Sequence, residues 1–272
     1  MFQRRLQGIV LKGSGVMIKI AVYGKGGIGK STTVANIAAA LADSGLKIMQ
    51  IGCDPKADST VLLRGKEKMT TILDLVKEKG NDFELSEMVR KGYNGIICAE
   101  AGGPAPGTGC AGRGIIAALE KLSEKGAYDT FKPDVILFDV LGDVVCGGFT
   151  MPMRPGYADY VFVVTSGENM AIYAAANIAT AVNNFKSRGY AKFGGIILNK
   201  RNVKNELEKV QELAEDFESE IIGTLSRSEL VQDSEEVGKT VVEAFPDSSM
   251  ATEYRILAEN IINKCKGDTN DC

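Results

Sequence analysis

Lys30 and Ser31 close the run Gly24-Lys25-Gly26-Gly27-Ile28-Gly29-Lys30-Ser31, which fits the pattern G-x-x-x-x-G-K-[ST] at every position. The chemistry such a run supports is polyphosphate binding. Glycines let backbone N–H groups surround phosphate oxygens, the lysine reaches the β- and γ-phosphates, and the serine hydroxyl ligates Mg²⁺. Thr32 follows directly and joins Gly24–Ser31 as an expected nucleotide contact. Two further loops supply carboxylates: Cys53-Asp54-Pro55-Lys56-Ala57-Asp58-Ser59-Thr60 and Asp139-Val140-Leu141-Gly142-Asp143. At the carboxyl ends of parallel strands such groups hold Mg²⁺ or orient the attacking water. Asp58 and Asp139 are the candidates for the cation, Asp54 and Asp143 for the catalytic step. Helix N-capping is the competing role for Asp54 and Asp58. The chain has no histidine, so a carboxylate is the candidate base.

Six cysteines are too few and too scattered for a disulfide scaffold. Cys110 and Cys146 each lie in a glycine-rich loop after an expected strand, and neither belongs to a C-x-x-C pair. Iron–sulfur clusters take four thiolates, which two copies of the chain around a twofold axis would supply. Two buried thiols are the alternative, and the spacing leaves both open. Cys53, Cys98, Cys265 and Cys272 read as thiols without a metal.

These loops need strands to leave from and helices to enter. Apolar, β-rich runs at 18–23, 47–52, 95–98, 134–138, 160–164 and 193–198 alternate with helical patterns near 70–78, 84–91, 114–126, 169–187, 203–218 and 249–264. An alanine-rich helix also begins near Gly29. Strands spaced by helices imply βαβ crossovers. The expected fold class is therefore α/β: a single P-loop NTPase domain with a mostly parallel sheet and helices on both faces. The expected organisation is a disordered extension over 1–16, one domain over 17–265 and a flexible tail over 266–272, with Met1 or Met17 as the start.

Composition narrows the function classes. Hydrophobic residues at 44% and charged residues at 25% exclude a disordered chain, a coiled coil and a collagen-like repeat. Lys and Arg number 32 against 35 Asp and Glu, and the net charge of −3 argues against a nucleic-acid binder. No run approaches the ~18 apolar residues of a membrane span. The apolar run of the first 16 residues, Ile9-Val10-Leu11, is too short for a secretory signal. The expected setting is cytoplasmic, with reduced thiols.

Lys25, directly after the first glycine, resembles the extra lysine of the deviant Walker A loop in ATPases that work as dimers, where it reaches the nucleotide of the opposite subunit. Over residues 18–264 the chain resembles the nitrogenase iron protein and its relatives. The stretches that carry this are Gly24–Thr33, Gly52–Thr60, Gly102–Gly114, Asp139–Phe149 and Ser166-Gly167-Glu168 leading into Met170-Ala171. The resemblance implies a homodimer in which Cys110 and Cys146 of each copy ligate one shared 4Fe-4S cluster, with ATP and Mg²⁺ as the other cofactors. It implies Asp143 beside the γ-phosphate, so that Asp139–Cys146 acts as a switch between nucleotide and cluster. It assigns Asp54 and Asp58 to a first switch, Lys56 to the nucleotide's surroundings, Asn199 to the adenine, and Arg113 to the partner-docking surface. The implied activity is MgATP hydrolysis coupled to low-potential electron delivery to a separate nitrogenase-like catalytic component. A reductant such as a ferredoxin is implied, and neither nucleic acid nor membrane.

The chain stops soon after Asn263, whereas dinitrogen-reducing relatives carry a longer C-terminal extension. The expectation therefore leans to the component that serves a nickel-tetrapyrrole reductive cyclase of methanogen cofactor biosynthesis, ahead of a true nitrogenase iron protein. The alternative of another class is a non-redox deviant Walker switch ATPase of the partition or positioning type. That reading calls for a cationic face on the last helix, where Glu253, Arg255, Glu259 and Lys264 instead mix both signs.

Overall fold

The computed structural model describes residues 17–65, 67–103, 111–142 and 150–267. In chain order the strands are β1 (Ile18–Tyr23), β2 (Ile48–Cys53), β3 (Val89–Lys91), β4 (Ile97–Glu100), β5 (Val135–Val140), β6 (Tyr160–Thr165), β7 (Lys192–Asn199) and β8 (Ile221–Leu225). The helices are α1 (Lys30–Asp43), α2 (Val61–Arg64), α3 (Ile72–Lys79), α4 (Leu85–Met88), α5 (Ala111–Glu124), α6 (Ala127–Phe131), α7 (Asn169–Phe185), α8 (Glu206–Asp216), α9 (Glu229–Glu236), α10 (Val241–Ala244) and α11 (Ser249–Gly267). The strands form one sheet in the order β3-β4-β2-β5-β1-β6-β7-β8, parallel except for β3 at one edge. The expected α/β class, with one P-loop domain, is what folds.

Side-chain alternation along β1 explains the two layers. Ile18, Ile20 and Val22 enter one core with α1, α10 and α11, whereas Ala21 and Tyr23 enter the other with α3, α5, α7 and α8. Strands buried on both faces read as near-continuous apolar runs, and all six residues of β2, β5 and β6 are buried. The Ala-Ala-Ala run of α1 keeps that helix close against the sheet, buried from Thr33 to Ala42. It stops at Ser44, followed by Gly45 at a φ of 89°.

Three segments differ from expectation. The helix expected over 84–91 ends at Met88, and Val89–Lys91 pair antiparallel with β4, from Val89 opposite Ala99 to Lys91 opposite Ile97. The open edge of β4 provides the hydrogen bonds that a short helix cannot. β4 itself starts at Ile97 because Tyr93–Gly95 make a 3₁₀ turn with Asn94 at a φ of 46°. β8 is a short edge strand, and its Ile221-Ile222-Gly223-Thr224-Leu225 lacks the length of the central runs.

No helix among the described residues is long and apolar enough to cross a membrane. In the sheet order β5 lies beside β1, with β2 and then β4 beyond it. The loops leaving the carboxyl ends of these strands therefore open side by side, where ligands of open α/β sheets bind.

Candidate functional site: a phosphate loop and its carboxylate partner

β1 ends at Tyr23, the loop runs over Gly24–Gly29, and α1 begins at Lys30. Gly29 takes the cap position at a φ of 89°, a left-handed conformation that side chains disfavour. Thr33 Oγ1 donates to the Gly29 carbonyl at 2.9 Å and fixes the first turn. The amides of the loop and first turn, left without helical partners, are the donors an anion meets there.

The Lys30 ammonium, nearly buried, is ion-paired with the carboxylate of Asp139, whose side chain is 0% exposed in β5. The other Asp139 oxygen accepts the Ser59 hydroxyl at 2.5 Å. Both carboxylate oxygens are thus engaged within the chain. The charge of Lys30 is what makes ionised Asp139 tolerable in the interior.

A cavity of about 470 Å³ opens in front of this pair. It is lined by the expected nucleotide contacts Lys25, Gly26, Gly27, Gly29, Lys30, Ser31 and Thr32, by Asp54, Lys56 and Asp58 from the loop after β2, and by Asn199 at the end of β7. Lys200, Arg201 and Arg227 add further cations at the rim. Cations and loop amides with a hydroxyl and carboxylates among them fit a magnesium polyphosphate; of the expected metal ligands Ser31 and Asp58 line the cavity, whereas Asp139 lies buried behind Lys30.

Other expected site residues fall outside the cavity or are engaged within the chain. The Ile28 side chain is buried in the core rather than in the cavity, and Gly24 packs behind the loop against β6. Asp54 Oδ1 accepts the Lys56 amide at 2.9 Å, making a local turn and not a helix cap. Asn199 Nδ2 donates to the Ile28 carbonyl at 2.7 Å and braces the loop. Arg113 is exposed on the first turn of α5, away from the cavity. Cys110, Asp143 and Cys146 lie outside the described residues. Cys53, Cys98 and Cys265 are buried, the first two as expected. Burial lifts the Cys98 thiol to about 12, so it stays protonated and a poor ligand. No group of three or more Cys, Asp or Glu able to hold a metal occurs among the described residues.

Four contributors carry no pattern in the sequence. Arg201 Nη2 donates to the Gly27 carbonyl at 2.8 Å, bracing the loop beside Asn199. Thr32 Oγ1 donates to Glu235 Oε1 at 2.7 Å and ties α1 to α9 across the cavity. Tyr254 of α11 lines the same end. Glu100, last residue of β4, is fully buried, and its carboxylate accepts both the Thr60 amide and the Thr60 hydroxyl. Burial raises the Glu100 carboxyl to about 7, against the lowering effect of those two bonds. Nothing in a lone Glu at a strand end marks it beforehand.

A parallel sheet with a glycine-rich phosphate loop after β1, and a buried carboxylate on the neighbouring strand paired with the loop lysine, defines a P-loop nucleoside triphosphatase. Residues 18–269 match the family described as 4Fe-4S iron sulfur cluster binding proteins, NifH/frxC family, and the chain belongs to that family. It is similar to nitrogenase iron protein 2 of Methanothermococcus thermolithotrophicus, 48% identical over 263 residues that cover 92% of this chain and 90% of the relative. It is also similar to the nitrogenase iron protein of Methanospirillum hungatei JF-1, 51% identical over 249 residues, covering 90% and 88%. Among solved structures, the cell division ATPase MinD of Pyrococcus furiosus superposes with a TM-score of 0.70 at 20% identity, covering 91% of this chain and 99% of that one. A ParA family ATPase from Chlorobium tepidum TLS gives 0.70 at 19% identity, covering 90% and 99%. At such identities these two likenesses show the fold alone. The chain is thus a nitrogenase iron protein-like ATPase of the iron–sulfur family.

Proposed function

We propose that two copies of this chain form an ATP-dependent electron-transfer protein that serves a separate nitrogenase-like catalytic component. Cys110 and Cys146 of each copy would hold one 4Fe-4S cluster, which when bound supplies a one-electron donor of low potential. The observation that carries this reading is the convergence of three segments on one sheet edge. The phosphate loop leaves β1 there, and the segments that lead in sequence to Cys110 and Cys146 leave β4 and β5. Gly142, the last described residue before the second of those segments, lies directly against Gly24 of the phosphate loop.

The chain's own residues act as follows. Lys30 is ion-paired with Asp139, and Asp139 accepts the Ser59 hydroxyl. A triphosphate in the loop gives Lys30 a second anionic partner, and Ser31 and Asp58 hold its magnesium. Asp139, through its contacts with Lys30 and Ser59, would link the phosphate loop to the loop after β2, and with Ser31 and Asp58 it would hold the magnesium, which when bound would offset phosphate charge. Asp54 and Asp143 orient the attacking water, and Lys25 reaches the nucleotide of the other copy. Lys56 and Asn199 flank the phosphates and base, and Arg113 stands on the surface that docks the catalytic component. A ferredoxin-like reductant restores the electron. The acceptor is a nickel-tetrapyrrole reductive cyclase or a dinitrogen-reducing component, and the relatives' name favours the latter.

Mixing the dithionite-reduced protein with each purified component, with and without MgATP, tests this. Oxidation of the protein is expected only when MgATP and the cognate component are both present, and the component that responds identifies the acceptor. Oxidation indifferent to MgATP, or none with either component, overturns the reading.

A further inference from the structure

Glu100 belongs to none of the groups that would touch nucleotide, metal or cluster, yet it is a fully buried carboxylate separated from Asp139 by a single strand, β2. Gly52 of β2 pairs in register with Glu100 on one side and Asp139 on the other, so the three occupy one row across the sheet. The middle position must be glycine, because a methyl group there would overlap Glu100 Oε2 and stand 2.7 Å from the Ser59 Cβ. The gap lets the Glu100 carboxylate lean across β2 toward the loop that follows it.

There it takes hold of that loop. The Thr60 amide donates to Glu100 Oε1 at 2.8 Å and the Thr60 hydroxyl to the same oxygen at 2.5 Å. Arg64 Nε donates to the Thr60 hydroxyl oxygen at 3.1 Å, and Gln50 Nε2 donates to the Ser59 carbonyl at 2.9 Å. With Ser59 on Asp139 and Lys30 on Asp139, an unbroken series of polar contacts runs from the phosphate-loop lysine to the end of β4. The backbone just past β4 is packed on the same elements. The Ala101 amide donates to the Gly52 carbonyl at 2.8 Å, the Leu73 amide to the Ala101 carbonyl at 3.1 Å, and Gly103 lies against Pro55.

Stability alone does not account for this cluster. Glu100 Oε2, Gln50 Oε1 and Arg64 Nη1 are buried and find no hydrogen-bond partner among the described residues, and each such group is unfavourable compared with an apolar residue of similar shape. A polar network that joins two loops through a rigid sheet can carry a change at one loop to the other.

We propose that Glu100 is a positioning residue that ties the 54–60 loop to the exit of β4, so that occupancy of the nucleotide cavity is felt in the backbone at 101–103. This rests on the nucleotide-binding part of the reading above and on nothing about the cluster. It gives the chain a second route out of the phosphate site, through β4, besides the one through β5 and Gly142.

Hydrogen exchange of the full chain, with and without a non-hydrolysable magnesium ATP analogue, tests it. In the unaltered protein the analogue is expected to change exchange in peptides covering 54–64 and 97–103, by about fivefold or more in rate, the low end of ordinary site–site coupling. In Glu100→Ala the response at 54–64 persists and that at 97–103 falls to about none. In Glu100→Gln, whose carbonyl still accepts both Thr60 donors, both responses return. Thr60→Val, which removes one of the two bonds with little change of volume, gives a reduced response at 97–103 and serves if Glu100→Ala does not fold. A purely structural role would alter exchange equally with and without the analogue, and an undiminished response at 97–103 in both Glu100→Ala and Thr60→Val overturns the proposal. Failure of the analogue to change 54–64 in the unaltered protein refutes the nucleotide reading itself, and the proposal with it.

Discussion

Lys30→Gln is expected to lower ATP turnover by about 10²–10³-fold, the range typical of losing one charge-stabilising donor from a preorganised site. The same substitution has a second effect that a surface lysine would not show. Asp139 is 0% exposed, and Lys30 is its ionic partner. Removing one member of a buried pair leaves an uncompensated charge and costs about 3–5 kcal/mol. The Ser59 hydroxyl still donates to Asp139, which places the expected loss near the lower end, about 3 kcal/mol. Lys30→Gln combined with Asp139→Asn is therefore expected to recover most of that stability while recovering none of the turnover. Denaturant unfolding of the two singles and the double checks the first part, and steady-state phosphate release the second. Additive losses in stability would show that Lys30 and Asp139 do not stabilise one another in the interior.

Gly142→Ala is expected to weaken nucleotide binding by about 10- to 100-fold with the fold retained, the equivalent of about 1–3 kcal/mol of overpacking. A methyl group at 142 would overlap the Gly24 carbonyl oxygen and stand 3.0 Å from the Lys25 amide nitrogen. The phosphate loop cannot retreat, because Gly24, at a φ of 155°, is already backed against β6, where a Cβ would be 2.5 Å from the Val164 carbonyl oxygen. The segment after β5 must move instead, and it moves away from the phosphates. Isothermal titration with the non-hydrolysable analogue, alongside far-UV circular dichroism, measures both halves of the expectation. Unchanged affinity would mean that the contact between Gly142 and the loop does not shape the site.

Much of this site was legible in the residues themselves. The Gly24–Ser31 run is local: strand, glycines, lysine and helix are contiguous, so spacing alone predicts a loop that the structure places at the cavity. Asp139 was found because a carboxylate at the end of an apolar β run has few reasons to be there. Its direct pairing with Lys30 was not, since nothing in a one-dimensional pattern says that β5 adds beside β1. Residues that complete the cavity from far along the chain were missed for the same reason. Arg201 meets Gly27 across 174 positions and Glu235 meets Thr32 across 203. Glu235 also sits in an eight-residue helix whose pattern is too short to declare itself. Edge strands were lost too: Val89-Arg90-Lys91 is a strand only because β4 offers it an open edge. Glu100 escaped because its role depends on an absent side chain, that of Gly52 on the neighbouring strand.

The central claim, an ATPase that carries a cluster held by two copies, is tested most directly by iron and acid-labile sulfide in protein purified without oxygen. About four of each per two chains are expected, the content of one cluster with four thiolate ligands. Cys110→Ala and Cys146→Ala are each expected to bring both to near zero while the ATP analogue still binds. A protein that binds the analogue but holds no iron, even after reconstitution with iron and sulfide, or that keeps its iron without Cys110 and Cys146, would contradict the account.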